Sequence, residues 1–183
     1  MKIAVDVNGG DKAPEAVFEG SAKFMSVHPE CGLVICADKE TAANLPSKFR
    51  DFRNQLEISE HSIVMNETPA VSKKDKPDNT ISSSIRAVSE KRADCAFSCG
   101  NSGAVILNSV DILGLKNKNY SLALLSFVPM FERPPLALFD VGALGNSNFS
   151  ADEYFFHLAD AYNIYRYFFG IKKPSVQLLN IGS

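Results

Sequence analysis

The sequence predicts an α/β fold in which a mostly parallel, Rossmann-like sheet is linked by helical crossovers. Three observations carry this. Short apolar runs of β type alternate with longer segments at helical spacing along the whole chain. Four of those runs stop in polar or glycine-rich turns, as strands do along the carboxyl edge of a parallel sheet. The 183 residues, 45% apolar and 22% charged, suffice for a single α/β domain over residues 1–183 with a real core.

In chain order, residues 2–6 form the first short strand, and Val-Asn-Gly-Gly-Asp (residues 7–11) is a turn whose Asp11 is placed to cap a helix. Pro14 suits the first turn of that helix, which runs to about Val27, because the N–H it lacks has no partner there in any case. Val17, Phe18, Ala22 and Met25 give the helix a face for the sheet. Residues 33–37 are a second, buried strand, and Asp38 caps a short helix ending before Pro46. A third strand spans Leu56 to Ile58, with residues 63–65 extending or following it.

Periodicity fails over residues 66–80. The run Lys-Lys-Asp-Lys-Pro-Asp (residues 73–78) reads as a mobile, solvated loop, with a positive rim for an anionic substrate or acidic partner as the sharper alternative. A helix from Ser82 to Arg92, with Ile85 and Val88 inward, delivers the chain to a buried strand at residues 93–97. The turn Gly-Asn-Ser-Gly (residues 100–103) comes next, with Ser102 as cap of a largely buried helix to Leu113. Residues 121–128 are an apolar run ended by Pro129, and residues 136–140 are another strand, closed by Asp-Val-Gly (residues 140–142). Ser150 caps a long helix with Asp152 and Glu153 in its first turn, and Gly170 stops it. Its broad aromatic surface predicts burial on more than one side, through core packing or a subunit interface, with acyl-chain or membrane contact the weaker alternative. Residues 175–180 form the last strand.

Composition excludes several classes of function. Lys and Arg number 19 against 21 Asp and Glu, so no overall positive field favours nucleic acid. The amino end passes directly into a strand without a signal-peptide layout, and no run has the apolar length to span a bilayer, which predicts a cytoplasmic protein. Cys31, Cys36, Cys95 and Cys99 lie in apolar runs without metal-ligand spacing and read as reduced core residues, so neither a metal nor a cofactor is expected.

The four strand-end turns are Asp6 with Gly9 and Gly10, Ser98 with Gly100 and Asn101, Asp140 with Gly142, and Asn180 with Gly182. Their convergence on one sheet edge would make a floor of backbone N–H groups, with Asn101, Ser102 and Asn180 suited to phosphate oxygens or an oxyanion. Asp6, Asp11 and Asp140 would orient those donors or hold Lys12. Gly103 lets the start of the adjoining helix approach the ligand. A serine nucleophile at Ser102 with His157 and Asp140 lacks the Gly-x-Ser-x-Gly elbow. The first turn also lacks the Gly-x-Gly-x-x-Gly of a nicotinamide site.

Four motifs, in this order and spacing, carry a resemblance: Met-Lys-Ile-Ala-Val-Asp-Val-Asn-Gly-Gly-Asp-Lys-Ala-Pro-Glu (residues 1–15), Ser-Cys-Gly-Asn-Ser-Gly-Ala (98–104), Asp-Val-Gly-Ala (140–143) and Leu-Leu-Asn-Ile-Gly (178–182). Together they resemble the bacterial phosphate acyltransferase family PlsX over the whole chain. The resemblance implies a three-layer α/β/α sandwich, a homodimer, and transfer of a long-chain acyl group from acyl carrier protein to inorganic phosphate, giving an acyl phosphate for phospholipid synthesis. It implies a cytoplasmic protein, with peripheral association at the inner face of the membrane left open. In its terms Gly9, Gly10 and Asp11 shape one wall, residues 100–103 cradle an anion, Asp140 orients donors, and Asn180 and Gly182 line the opposite wall. Asn101 and Asn180 are the expected catalytic residues.

Several positions depart from the family pattern. Relatives place Met and His where this chain has Asn8 and Lys12, and Thr where it has Ser102. They also continue past the last motif into a second half that carries a catalytic lysine, which makes this chain the amino-terminal half of the family pattern. A truncated, catalytically silent relative that keeps phosphate or carrier-protein binding is the alternative.

Overall fold

The computed structural model describes residues 1–51, 53–115, 124–139 and 150–177. The chain divides into two compact units, Met1–Gly114 and Leu115–Ser183.

The first unit is a parallel sheet of four strands in the order β3-β2-β1-β4, from β1 (Lys2–Asp6), β2 (Gly32–Asp38), β3 (Gln55–Ser59) and β4 (Cys95–Phe97). Registers run Ile3 to Leu33, Val5 to Ile35 and Ile3 to Cys95, so β1 and β2 are the inner strands. Their sequences are apolar on both faces because both faces are covered. On one face Val5, Val7, Leu33, Ile35 and Ala37 meet Val17 and Phe18 of α1 (Glu15–Val27), together with Leu45 and Phe49. On the other, Ala4, Val34 and Cys36 pack on Ala87 of α4 (Thr80–Ser89), and small side chains on both partners let helix and sheet approach closely. Helices on both faces make this a three-layer α/β/α sandwich of Rossmann-like type. Each large apolar side chain so buried contributes about 1.5–3 kcal/mol.

Local chemistry sets the helix ends. Asp38 caps α2 (Lys39–Ala43), its Oδ1 accepting from the Thr41 N–H at 2.9 Å, as its position after a strand predicts. Asn79 opens α4 with a reciprocal capping box to Ser82, so the helix begins two residues before the predicted start. Asp11 is exposed and does not cap α1, which starts directly after Pro14.

The segment expected to be a solvated loop is exposed at Lys73, Lys74, Asp75 and Pro77, and it is also tied down. It contains the short helix α3 (Val71–Lys74), and residues 62–64 before it run without strand structure. Lys76 Nζ donates to Glu67 Oε1 at 2.6 Å and to the Ser62 carbonyl, and Lys73 pairs with Asp111. The buried Asn79 amide donates to the Ser72 and Lys76 carbonyls. Two of the three lysines proposed as a positive rim are thus committed to acids of the same unit.

Strand β4 corrects a second expectation. Its three residues are exposed, Phe97 by 50%, because among the described residues β4 pairs with β1 alone. Cys95 and Cys99 are therefore exposed thiols rather than core residues, whereas Cys31 and Cys36 are buried. Helix α5 (Ser102–Leu113) buries Ala104, Ile106 and Asn108 but leaves Leu107 and Leu113 exposed, so it is amphipathic rather than enclosed.

In the second unit β5 (Leu125–Met130) and β6 (Arg133–Phe139) form an antiparallel hairpin, and β5 continues through Pro129 with a register shift there. Helix α6 (Ala151–Phe169) has the expected Ser150 cap, which the structure extends to a capping box with Glu153, and Gly170 at its end adopts φ 65°. It rests on the hairpin through Phe127 against Phe169 and a Tyr165 hydroxyl bond to the Pro135 carbonyl. Within the single chain Phe155 is 75% and Tyr167 86% exposed, so the described residues do not cover α6 on several sides, while His157 is buried near the Phe139 ring; the subunit-interface alternative concerns a second copy. Residues 174–177 carry no strand, and the rest of the last predicted strand lies outside the described residues. No described helix is long and apolar enough to cross a membrane.

Candidate functional site

The order β3-β2-β1-β4 reverses direction between β1 and β4: the chain winds outward from β1 to β3, then returns to the other side. The carboxyl ends of two neighbouring strands that diverge in this way form a crevice where open α/β sheets bind ligands. Two of the four predicted turns, those after β1 and β4, meet there.

Their contact is close. A Cβ on Gly9 would lie 2.4 Å from Asp6 Oδ2, 2.8 Å from the Gly100 nitrogen and 2.8 Å from Ser98 Oγ, so no side chain fits at Gly9. Gly10 adopts φ +115°, a conformation that L side chains rarely take, and packs against Cys99. Asp6 lies beneath, 1% exposed. Its Oδ2 accepts from the Ser98 hydroxyl at 2.7 Å, its Oδ1 accepts from the Asn8 N–H at 3.3 Å, and Ser98 Oγ in turn accepts from the Gly100 N–H at 3.0 Å.

Burial raises the Asp6 pKa above its ordinary 3.8, against the opposing effects of the Ser98 hydroxyl, Thr80, and the N–H groups of Asn8 and Gly9. The Thr80 hydroxyl faces this carboxyl without meeting strict hydrogen-bond geometry. Burial, with the Asp6 charge second, pushes the nearby Cys36 thiol up to about 12, which leaves it unreactive near neutrality. A carboxyl raised on folding holds its proton more tightly in the native than in the unfolded chain. Its contribution is therefore complete below 3.8 and is lost as pH rises through the native value. Asp6→Asn is expected to be more stable relative to the parent at pH 7 than at pH 3.5. Urea unfolding of both proteins at the two pH values checks this, and a pH-independent difference contradicts it.

The turn after β4 is anchored by Asn101, 7% exposed. Its Oδ1 accepts from the Ala104 N–H at 3.0 Å, so Asn101, rather than Ser102, is the cap of α5. Its amide donates to the Met65 carbonyl at 3.2 Å and the Glu67 carbonyl at 2.7 Å. Both amide hydrogens are thus used inside the protein, and this turn has its backbone to offer a ligand. With the Ala104 N–H taken by this cap, the Ser102 and Gly103 N–H groups are the first-turn donors of α5 left to suit an anion. Gly103 is pressed on Pro69, whose Cγ would lie 2.4 Å from a Cβ there. The segment before α3 is consequently a wall of the site.

Asn8 is a contributor that motif spacing did not single out. Its amide donates to Asp38 Oδ2 at 2.8 Å and to Thr41 Oγ1 at 2.9 Å, and its oxygen accepts from the Asp38 N–H, tying the first turn to the end of β2. At Asp38 burial acts upward, but bonds from Thr41, Ser62 and Asn8 outweigh it and hold the carboxyl below its ordinary value. A polar residue directly after a strand, facing a strand-end aspartate on the neighbouring run, was the available signal.

Asp6, Gly9, Gly10, Gly100, Asn101, Ser102 and Gly103 are therefore brought to one crevice or its rim, and Asp11 lies exposed just beyond Gly10. Asp140, Gly142, Asn180 and Gly182 lie outside the described residues. Strand β6, which precedes Asp140 in the chain, pairs antiparallel with β5 in the second unit. Among the described residues no group of three or more His, Cys, Asp or Glu is arranged to hold a metal.

Fold and site together define a parallel α/β protein with a backbone-lined polar crevice at its switch point. The sequence profile of the family described as "Fatty acid synthesis protein" matches residues 1–183, and the chain belongs to that family. Similar proteins named phosphate acyltransferase include those of Dictyoglomus turgidum, 29% identical over 184 residues, and Halalkalibacterium halodurans, 31% identical over 184 residues. Another, from Clostridium botulinum strain Langeland, is 32% identical over 186 residues. Each alignment covers 100% of this chain and 53–54% of the relative, so the chain spans about half the length of these relatives.

Proposed function

We propose that this chain supplies the phosphate-holding part of a phosphate acyltransferase, which moves a long-chain fatty acyl group from acyl carrier protein to inorganic phosphate. The observation that carries this reading is the flush packing of Gly9 on Gly100, which joins two strand-end turns into one surface at the switch point, in a chain of this family. Catalysis on such a floor needs no covalent serine. Phosphate already carries nucleophilic oxygens near neutral pH, and a thioester leaves as a thiolate whose thiol has a pKa of roughly 8.5 by analogy with cysteine.

In the proposed step a phosphate oxygen attacks the thioester carbonyl carbon and a tetrahedral oxyanion forms. The C–S bond then breaks with its electron pair on sulfur, and the thiolate takes up a proton, leaving acyl phosphate and free carrier. The protein's contribution is to hold phosphate against the carbonyl and to offer preorganised N–H donors to the oxyanion. Asp6 stands behind the donors rather than among the reacting groups. Asp140, Gly142, Asn180 and Gly182 belong to the same proposal as residues of the opposite wall, and the working form is a homodimer.

The second reading, a binding module without turnover, is favoured by one observation. The Asn101 side chain is wholly engaged in holding residues 65–67 and the start of α5, so it serves the shape of the turn. An assay with palmitoyl-acyl-carrier-protein and phosphate, monitoring free carrier thiol, decides between the two. Phosphate-dependent release supports the transferase; phosphate binding without release, even when a polypeptide matching the remaining part of a relative is added, supports the module.

A further inference from the structure

We propose that Ser98 is a positioning residue for the phosphate site, the hydroxyl that locks the turn after β1 to the turn after β4; this rests on the phosphate reading above. Ser98 is half-buried at the end of β4 and spends its hydroxyl inside the protein, donating to Asp6 Oδ2 at 2.7 Å and accepting from the Gly100 N–H at 3.0 Å. The hydroxyl therefore connects carboxylate, side chain and backbone amide in one chain of bonds. Because its acceptor is a buried carboxyl, the bond to Asp6 is of the charge-assisted kind when Asp6 is ionised, roughly twice as strong as a neutral one.

The consequence for a ligand is indirect and geometric. With the Gly100 N–H turned inward to Ser98, the peptide plane between Cys99 and Gly100 is fixed, and the backbone that leads through Asn101 into α5 starts from a set direction. Gly9 lies in the crook of the same three groups, so the first turn cannot shift without disturbing Ser98. Asn101 pins the far end of the turn to residues 65 and 67, and Ser98 pins the near end. A tetrahedral oxyanion bound by backbone donors depends on those donors converging before it arrives, since each degree of freedom left to the turn subtracts from affinity.

The test is calorimetric titration of inorganic phosphate into the chain and its variants. Ser98→Ala is expected to bind phosphate about tenfold more weakly, the loss that comes from deleting one hydrogen bond to a charged group. Ser98→Thr, which restores the hydroxyl, is expected to return affinity to within about twofold of the parent, a rescue that simple loss of packing would not give. Should Ser98→Ala fail to fold, Ser98→Cys keeps the size but donates poorly and carries the same expectation. Binding by the parent with equal binding by Ser98→Ala overturns the positioning role and leaves the phosphate reading standing. A parent chain that does not bind phosphate overturns both.

Discussion

Gly9→Ala is expected to give the largest single loss, abolishing phosphate binding and lowering stability by about 3 kcal/mol, at the upper end for overpacking a closed site. The new methyl group would stand 2.4 Å from Asp6 Oδ2 and 2.8 Å from both the Gly100 nitrogen and Ser98 Oγ. None of these can yield cheaply. Asp6 is enclosed and held by the Asn8 N–H and the Ser98 hydroxyl, and Gly100 is backbone. The methyl group must separate the two turns, and separation breaks the bond from the Gly100 N–H to Ser98. Urea unfolding measures the stability loss and a phosphate titration the loss of binding. Gly20→Ala, inside α1 with nothing within 4 Å of the added carbon, is the control, expected to leave phosphate binding unchanged and to raise stability by about 0.5–1 kcal/mol through helix propensity. Parent-like binding by Gly9→Ala contradicts a crevice built on the contact of these two turns.

Asn101→Ala is expected to cost about 3 kcal/mol, from about 1 kcal/mol for the lost helix cap and about 1 kcal/mol for each of two carbonyls left without a donor. The carbonyls are those of Met65 and Glu67, and their release frees the wall that lies against Gly103. Asn101→Asp separates the two parts. It keeps the oxygen that accepts from the Ala104 N–H and loses both amide donors, so it is expected to retain the cap and lose about 2 kcal/mol. In the acyl-transfer assay Asn101→Ala is expected to lose phosphate-dependent release. Release at the parent's rate from this variant sinks the assignment of the turn after β4 as the cradle.

The range of each interaction decides how much of fold and site was legible in the sequence. β1 and β2 announce themselves because inner parallel strands must be apolar on both faces, and residues 2–6 and 33–37 are close to the observed spans. Helix α6 is bounded by Ser150 with Glu153 three residues on and by Gly170, signals contained within a few positions. The role of Asn101 has no such local sign, since its amide partners lie 34 and 36 residues earlier in a stretch without periodicity. Ser98 is tied to a carboxylate 92 residues away. The exposure of β4 is likewise non-local: the same three residues would be buried in an inner strand and are bare where, among the described residues, only β1 pairs with them. Aromatic width at α6 does not say what covers it, since core packing and a subunit interface write the same pattern and Phe155 and Tyr167 are exposed in the single chain.

Whether the turns after β1 and β4 form one phosphate-holding surface is tested most directly by titrating inorganic phosphate into isotopically labelled chain and observing each amide by nuclear magnetic resonance. A shared surface predicts saturable shifts concentrated at Gly9, Gly10 and residues 100–103, with residues of α1 unmoved. Shifts confined to surface lysines such as Lys23 and Lys48, or no saturable shift at either turn, would contradict it.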